Sequence, residues 1–510
     1  MDHSGRIPIV ALILSISVFG FGRWIVAQEP QDPVDRMAQR IDYWVLGYRG
    51  EPIGGEATDA EFLRRAYLDL TGVIPDAAVT LEFLDQSDPN KRIRLVDTLV
   101  DSPGFSVRLA DHWTQLLLPD NADNQTPQER ESLRRWLLDR FSENVRYDRI
   151  VADLLISSGD PTEQPTAFFT ASELKPEKLA ERTCRVFLGV ALDCAQCHDH
   201  PFDRWKQKDF WGVAAYFARI KSSGNPNQMM SGGILDVDEG EVQIPETSIA
   251  IAPKPLLENT ESSLAIGSRR QQLAIWVTSK QNSWFAKAAV NRVWAMLMGR
   301  GIVEPVDDIG EKSFATHPEL LQDLTVFFQS NQYDLRKLVL AITRSQTYRR
   351  SSRFYREDAS QPAFLWMRPK PLTAHQVVAS LRHVARHAKN GPVDPWAAMA
   401  QKLGKIQGEA SEYTGGVLQS LLLQHSPEME TIWRETESNL IRSLEAPHIP
   451  KIKQVDWMYL AVLSRLPSDA ERIKIDAMEL EYGQDAEQRR KWIADFLWAM
   501  INSSEFGITP

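Results

Sequence analysis

PEKLAERTCRVFLGVALDCAQCHDHPFDRWKQKDFWGVAAYFARIK, residues Pro176 to Lys221, places a cysteine-rich loop between two helical patterns. Pro176 to Leu192 carries an apolar side of Leu179, Val186, Phe187 and Val190, and Lys206 to Lys221 carries one of Phe210, Trp211, Ala214, Tyr216 and Phe217. Both periods are those of core-facing helices. Asp193 to Trp205 contains Pro201 and several polar residues and predicts a tight connection held against both helices. Aromatic and small residues beside that loop are placed to wall a porphyrin, or to serve as ordinary core.

The loop holds Cys194-Ala195-Gln196-Cys197-His198, a CxxCH motif whose first reading is covalent c-type haem attachment. Thiols three residues apart project from one side of a single turn and can both form thioethers. The adjacent imidazole of His198 then reaches the iron as proximal ligand. The same thiols also suit zinc or a redox disulfide.

Residues 1–27 support the haem reading. Met1 to Arg6 is short and weakly basic, Ile7 to Gly22 is apolar and uncharged, and Ile25-Val26-Ala27 ends on a small residue. This is the pattern of an export signal, and covalent haem attachment in bacteria requires an exported chain. Arg23 interrupts the cleavage region, so an uncleaved anchor stays open, with Ile7 to Val26 just long enough to span a bilayer. A periplasmic or secreted protein is expected, touching a membrane only through this segment.

With 510 residues, 43% hydrophobic and 25% charged, the chain suits a globular protein of two or three domains. A formal net charge of -10 argues against nucleic acid as a partner. Three cysteines are too few, and odd in number, for a disulfide scaffold.

Four hydroxyl residues stand three positions before a glutamate and predict helix starts: Thr58 with Glu61, Thr126 with Glu129, Thr316 with Glu319, and Ser468 with Glu471. Gly224 to Glu258 is rich in Gly and Pro, with alternating stretches at 241–244 and 248–251 that predict a β-hairpin. Helical periodicity resumes near Ser268. The expected fold is mainly α: a helical domain at 32–222, a linker with a small β-hairpin at 223–267, and a second helical domain at 268–510.

Several runs carry a family resemblance. Arg64-Arg65-Ala66-Tyr67-Leu68-Asp69-Leu70-Thr71-Gly72, Asp111-His112-Trp113, and Val186 to Val190 leading into the CxxCH resemble a planctomycete cytochrome-like domain of unknown function. Asn291-Arg292-Val293-Trp294, Gly299-Arg300-Gly301, Pro305-Val306-Asp307-Asp308, His317 to Leu321 and Asn502 to Phe506 resemble the domain that comes after it in that secreted family. The resemblance implies a large exported helical protein working beside other exported redox or polymer-degrading proteins. Relative to longer members, the expectation is that a separate cytochrome domain and an inserted β-sandwich are missing.

His198 is the expected proximal ligand. His200 is a poor distal ligand, because two residues span at most about 7 Å and cannot wrap a haem edge; it is expected to fix the loop before Pro201. Met229, Met230 and His112 are the distal candidates beside an open position. An open iron would suit peroxide or small-ligand chemistry, and Met or His ligation would suit electron transfer. Zinc would recruit Cys184, Cys194, Cys197 and either His198 or His200, and would suit a non-redox exported scaffold or accessory protein. Cys184 alone reads as a small buried hydrophobe. Glu304, Asp307, Asp308 and Glu311 form an acidic turn whose hydrolytic reading is outweighed by a solvated turn, and His375, His383 and His387 read as an exposed helix face rather than a metal site.

Overall fold

The computed structural model describes residues 32–47, 55–118, 126–201, 203–223, 233–245, 247, 249–256, 267–310, 313–353, 363–385, 396, 399–400, 402–404, 426, 429, 438–445, 453–482 and 485–510. Helices α1 to α8 cover Pro33–Leu46, Asp59–Leu70, Ala77–Asp85, Lys91–Val100, Pro103–Leu117, Pro127–Ser142, Tyr147–Leu155 and Ala167–Thr170. Then come α9 (Pro176–Thr183) and α10 (Gln207–Ala214), followed by α11 (Arg269–Val277), α12 (Ser283–Met298), α13 (Pro318–Ser330), α14 (Leu335–Arg344) and α15 (Ala374–Ala385). The chain closes through α16 (Asn439–Leu444), α17 (Gln454–Val462), α18 (Asp469–Tyr482) and α19 (Ala486–Ile501). The fold is mainly α, as the helical periods predict.

Capping chemistry sets several of these starts. Thr126 and Glu129 close a reciprocal box, with the Glu129 amide donating to Thr126 Oγ1 at 3.2 Å and the Thr126 amide to Glu129 Oε2 at 2.8 Å. Ser468 and Glu471 do the same at 3.3 and 2.7 Å. Thr58 accepts from the Glu61 amide at 3.3 Å, but the Glu61 carboxylate turns inward, to Arg65, Ser351 and Ser352. Thr316 is not the cap of α13. His317 holds that position, and the Thr316 amide and hydroxyl both donate to the Ile302 carbonyl, at 2.9 and 3.1 Å.

Strand content is small and local. Val242–Gln243 pairs antiparallel with Ala250–Ile251, the hairpin expected between the helical regions. Two further pairs were not legible: Ile220–Ser222 with Ile234–Asp236, and Lys370–Pro371 with Ile508–Thr509. The first shortens the predicted 206–221 helix. After α10 the chain tightens to a 3₁₀ turn at Ala215–Phe217, and the backbone at Ile220 goes to a strand partner instead of continuing the helix.

The larger apolar core draws on both sides of the 223–267 stretch, uniting Leu179, Phe187 and Phe217 with Val290, Trp294, Leu324 and Ile342. Its centre is aromatic: Tyr147 stacks on Phe285 at 5.3 Å, and Trp113 meets Tyr147 edge-on at 5.8 Å. Such pairs add about 0.5–1.5 kcal/mol each beyond burial. A second core gathers α15 to α19, together with Leu68 and Ile74. Residues 1–31, and with them the predicted export signal, lie outside the described residues. Among the described residues no helix is long and apolar enough to cross a membrane.

Candidate functional site

The helix leading to the motif ends earlier than its apolar period predicts. After α9 the backbone widens into a π turn at Cys184–Leu188, and Gly189 stops it at φ +62°. The Cys184 carbonyl accepts from both the Gly189 and Val190 amides. A π turn inserts one extra residue into a helical turn and re-aims the chain beyond it. A Cβ at position 189 would lie 3.0 Å from Ile309 Cδ1 and 3.3 Å from Ala288 Cβ, in a backbone region that side chains avoid. Gly189→Ala is therefore expected to cost about 1 to 2 kcal/mol in urea unfolding, and an unchanged midpoint would show that this turn is not strained.

A single 3₁₀ turn, Asp193–Gln196, carries the first cysteine. Cys194 and Cys197 are exposed free thiols, and His198 is exposed beside them. Three groups hold the turn from below. Trp211 Nε1 donates to the Gln196 carbonyl at 3.0 Å, Gln207 Nε2 donates to the Cys197 carbonyl at 2.9 Å, and the Gln207 amide donates to Asp199 Oδ1 at 3.0 Å. The His198 Nδ1 lies 2.8 Å from the Asp199 carbonyl. A carbonyl can only accept, so Nδ1 carries the proton and Nε2 is left with its lone pair outward, the tautomer an iron or zinc ligand needs.

His200 serves the loop. Its Nδ1 accepts from the Asp203 amide at 2.9 Å, and its own amide donates to the Trp205 carbonyl at 2.8 Å. The predicted wall residues are spent elsewhere: Phe187, Phe210, Trp211, Tyr216 and Phe217 are all buried in the larger core. Helical spacing alone does not separate a core stripe from a cofactor wall.

The acidic turn 304–308 comes to this loop from far along the chain. Asp307 pairs with Arg185 at 3.2 Å, and Arg185 also pairs with Asp193, next to Cys194. The Ile309 amide donates to the Gly189 carbonyl at 2.6 Å, and Gly310 packs so close to Asp203 that a side chain there would collide with its carboxylate. Burial pushes the Asp308 carboxyl up, as do Asp307 and Asp203, against a lowering contact from the Ala191 amide. Burial also raises Glu181, with Asp193 adding to it. The Glu304 side chain is occupied by the Gly301 amide, so this turn offers a clamp on the motif loop rather than a free carboxylate pair. Glu311 lies outside the described residues.

Arg185 and Gln207 were not legible as site residues, and Trp211 was expected as cofactor wall or core rather than as the donor that holds the Gln196 carbonyl. Each sits on a helix whose other side is core, and the Arg185–Asp307 contact spans 122 residues. The remaining candidates disperse. Cys184 is buried, and burial drives its thiol pKa far up. Among the described residues no three His, Cys, Asp or Glu side chains are gathered to hold a metal, so the zinc set of Cys184, Cys194, Cys197 and His198 or His200 does not assemble. His383 Nε2 faces Asp76 at 3.3 Å. His387, Met229 and Met230 fall outside the described residues. His112 lies on α5, only partly buried but with its Nε2 enclosed, edge-on to Trp113 at 5.1 Å.

Residues 41–222 match the family model PSCyt2, a protein of unknown function (DUF1549), and residues 269–415 match PSD1, a protein of unknown function (DUF1553). No curated protein and no solved structure matches the chain.

Proposed function

The chain belongs to the family that joins a PSCyt2 domain to a PSD1 domain in that order, and from this premise we propose that it is an exported mono-haem c-type protein serving electron transfer or a haem-dependent redox step. The observation that carries the reading is the donor set: two exposed free thiols three residues apart, and a neighbouring imidazole whose Nδ1 faces a carbonyl at 2.8 Å. The fit is one of donors. Cys194 and Cys197 would anchor the macrocycle and His198 Nε2 would bind the iron, while the described aromatic side chains supply no wall. When bound, haem would supply one-electron redox chemistry.

The protein's own contribution is positional. Trp211 and Gln207 fix the carbonyls of Gln196 and Cys197, which pins the backbone of the turn that carries the two thiols. The Asp199 carbonyl fixes the tautomer of His198. Arg185, bridging Asp193 and Asp307, ties the motif loop to the PSD1 region.

Expression of the full chain in a host with haem-maturation machinery is expected to give a denatured product that keeps covalent haem by mass and by in-gel peroxidase staining. Cys194→Ser with Cys197→Ser should abolish both signals, and His198→Ala should shift the Soret band while the mass stays. A matured product with no haem mass overturns the reading.

A further inference from the structure

His198 stands exposed on the motif loop, and the Asp199 carbonyl, 2.8 Å from Nδ1, is the ring's one hydrogen-bond partner among the described residues. An imidazole on a surface loop otherwise turns about its side-chain bonds and exchanges its proton between the two nitrogens. Its orientation here depends on what holds the backbone on either side of it.

Gln207, the first residue of α10, holds both sides. Its side-chain amide spends both protons on the stretch before the histidine, donating to the Gln196 carbonyl at 3.2 Å and to the Cys197 carbonyl at 2.9 Å. Its main-chain N–H donates to Asp199 Oδ1 at 3.0 Å, on the stretch after it. That bond lies at the positive end of α10, where first-turn N–H groups have no partner within the helix and a carboxylate is favoured. The helix is a firm base, because Phe210 and Trp211 are buried in the larger core. Asp199 is engaged at both ends: its carboxylate is fixed to α10, and its carbonyl receives the ring proton.

We propose that Asp199 and Gln207 are the positioning residues of His198, a bracket that keeps the proton on Nδ1 and leaves Nε2 free as the ligand atom. The proposal rests on the reading of His198 as the iron ligand, and goes beyond it by giving the Asp199 carboxylate a task in that site.

Nitrogen NMR in mildly alkaline buffer, on the full chain with isotope-labelled histidines and before haem attachment, tests the bracket; the His198 signal is the one lost in His198→Gln. The unmutated ring is expected to carry its proton on Nδ1. Asp199→Ala and Gln207→Ala should move the population to Nε2–H, the form a free imidazole prefers in water. Asp199→Asn should restore Nδ1–H, because its amide oxygen accepts the same bond from Gln207. In the matured protein Asp199→Ala should raise the reduction potential above that of Asp199→Asn. The two variants lose the same charge, and an imidazole that donates Nδ1–H to a carbonyl is the more basic ligand. Should Gln207→Ala fail to fold, Asp199→Ala decides, since its position is exposed. An Nδ1–H that persists in Asp199→Ala, or equal potentials for the two Asp199 variants, overturns the bracket. A matured chain without haem overturns instead the reading of His198 as an iron ligand, and the tautomer result, which needs no haem, still decides the bracket.

Discussion

Arg65→Ala is expected to lower the free energy of unfolding by about 3 to 5 kcal/mol, the range for breaking a buried, hydrogen-bonded ion pair from one side. Arg65 is fully buried on α2 and uses its whole fork. Its Nε donates to the Pro510 carbonyl at 2.6 Å, Nη1 to the Tyr348 and Arg350 carbonyls at 2.7 and 2.8 Å, and Nη2 to Glu61 at 3.0 Å. Truncation strands all four acceptors. Glu61 suffers most, because its carboxylate is 5% exposed and loses its cation, keeping only Ser351 and Ser352 as donors. Arg65→Lys should recover little, since one ammonium cannot meet the Glu61 carboxylate together with three carbonyls arriving from two other chain segments. Urea unfolding monitored by far-ultraviolet circular dichroism checks both variants. A loss below about 1 kcal/mol for Arg65→Ala would show that water replaces these bonds.

Burial explains what the sequence hides here. In Arg64-Arg65-Ala66-Tyr67-Leu68-Asp69-Leu70 the apolar stripe predicts α2 correctly, yet Arg64, Arg65 and Asp69 are buried as well as the leucines. Arg64 reaches the Val462 and Phe506 carbonyls at 3.0 and 2.9 Å, near the far end of the chain. A helical period shows which residues can share a face. It cannot show that the opposite face will also be covered, because that depends on helices nearly 400 residues away. Helix starts with a local hydroxyl and carboxylate, such as Thr126 and Ser468, were legible for the opposite reason: the partners stand three residues apart.

The candidate site divides along the same line. The CxxCH and the loop-fixing role of His200 were legible because their geometry is set within a few bonds. The clamp of Asp307 and Ile309 on Arg185 and Gly189 was not, and neither was the burial of the aromatic stripe. The acidic turn offered two readings, solvent-facing or hydrolytic. The structure makes it part of the junction between the two family domains.

Stability should fall by about 2 kcal/mol between pH 8 and pH 5 through His112 alone. Burial, with Arg108 and Arg292 close by, pushes the ring down to about 3 from an ordinary 6.5. Between those values the unfolded chain binds a proton that the folded chain refuses. The stability is therefore fully present above pH 6.5 and drains away at about 1.4 kcal/mol per pH unit as the pH drops towards 3. His112→Gln removes the titration while keeping a polar side chain, so the difference between the two stability curves isolates the ring from the exposed histidines and from carboxylates that titrate lower. Parallel curves from pH 8 to pH 5 would sink the prediction.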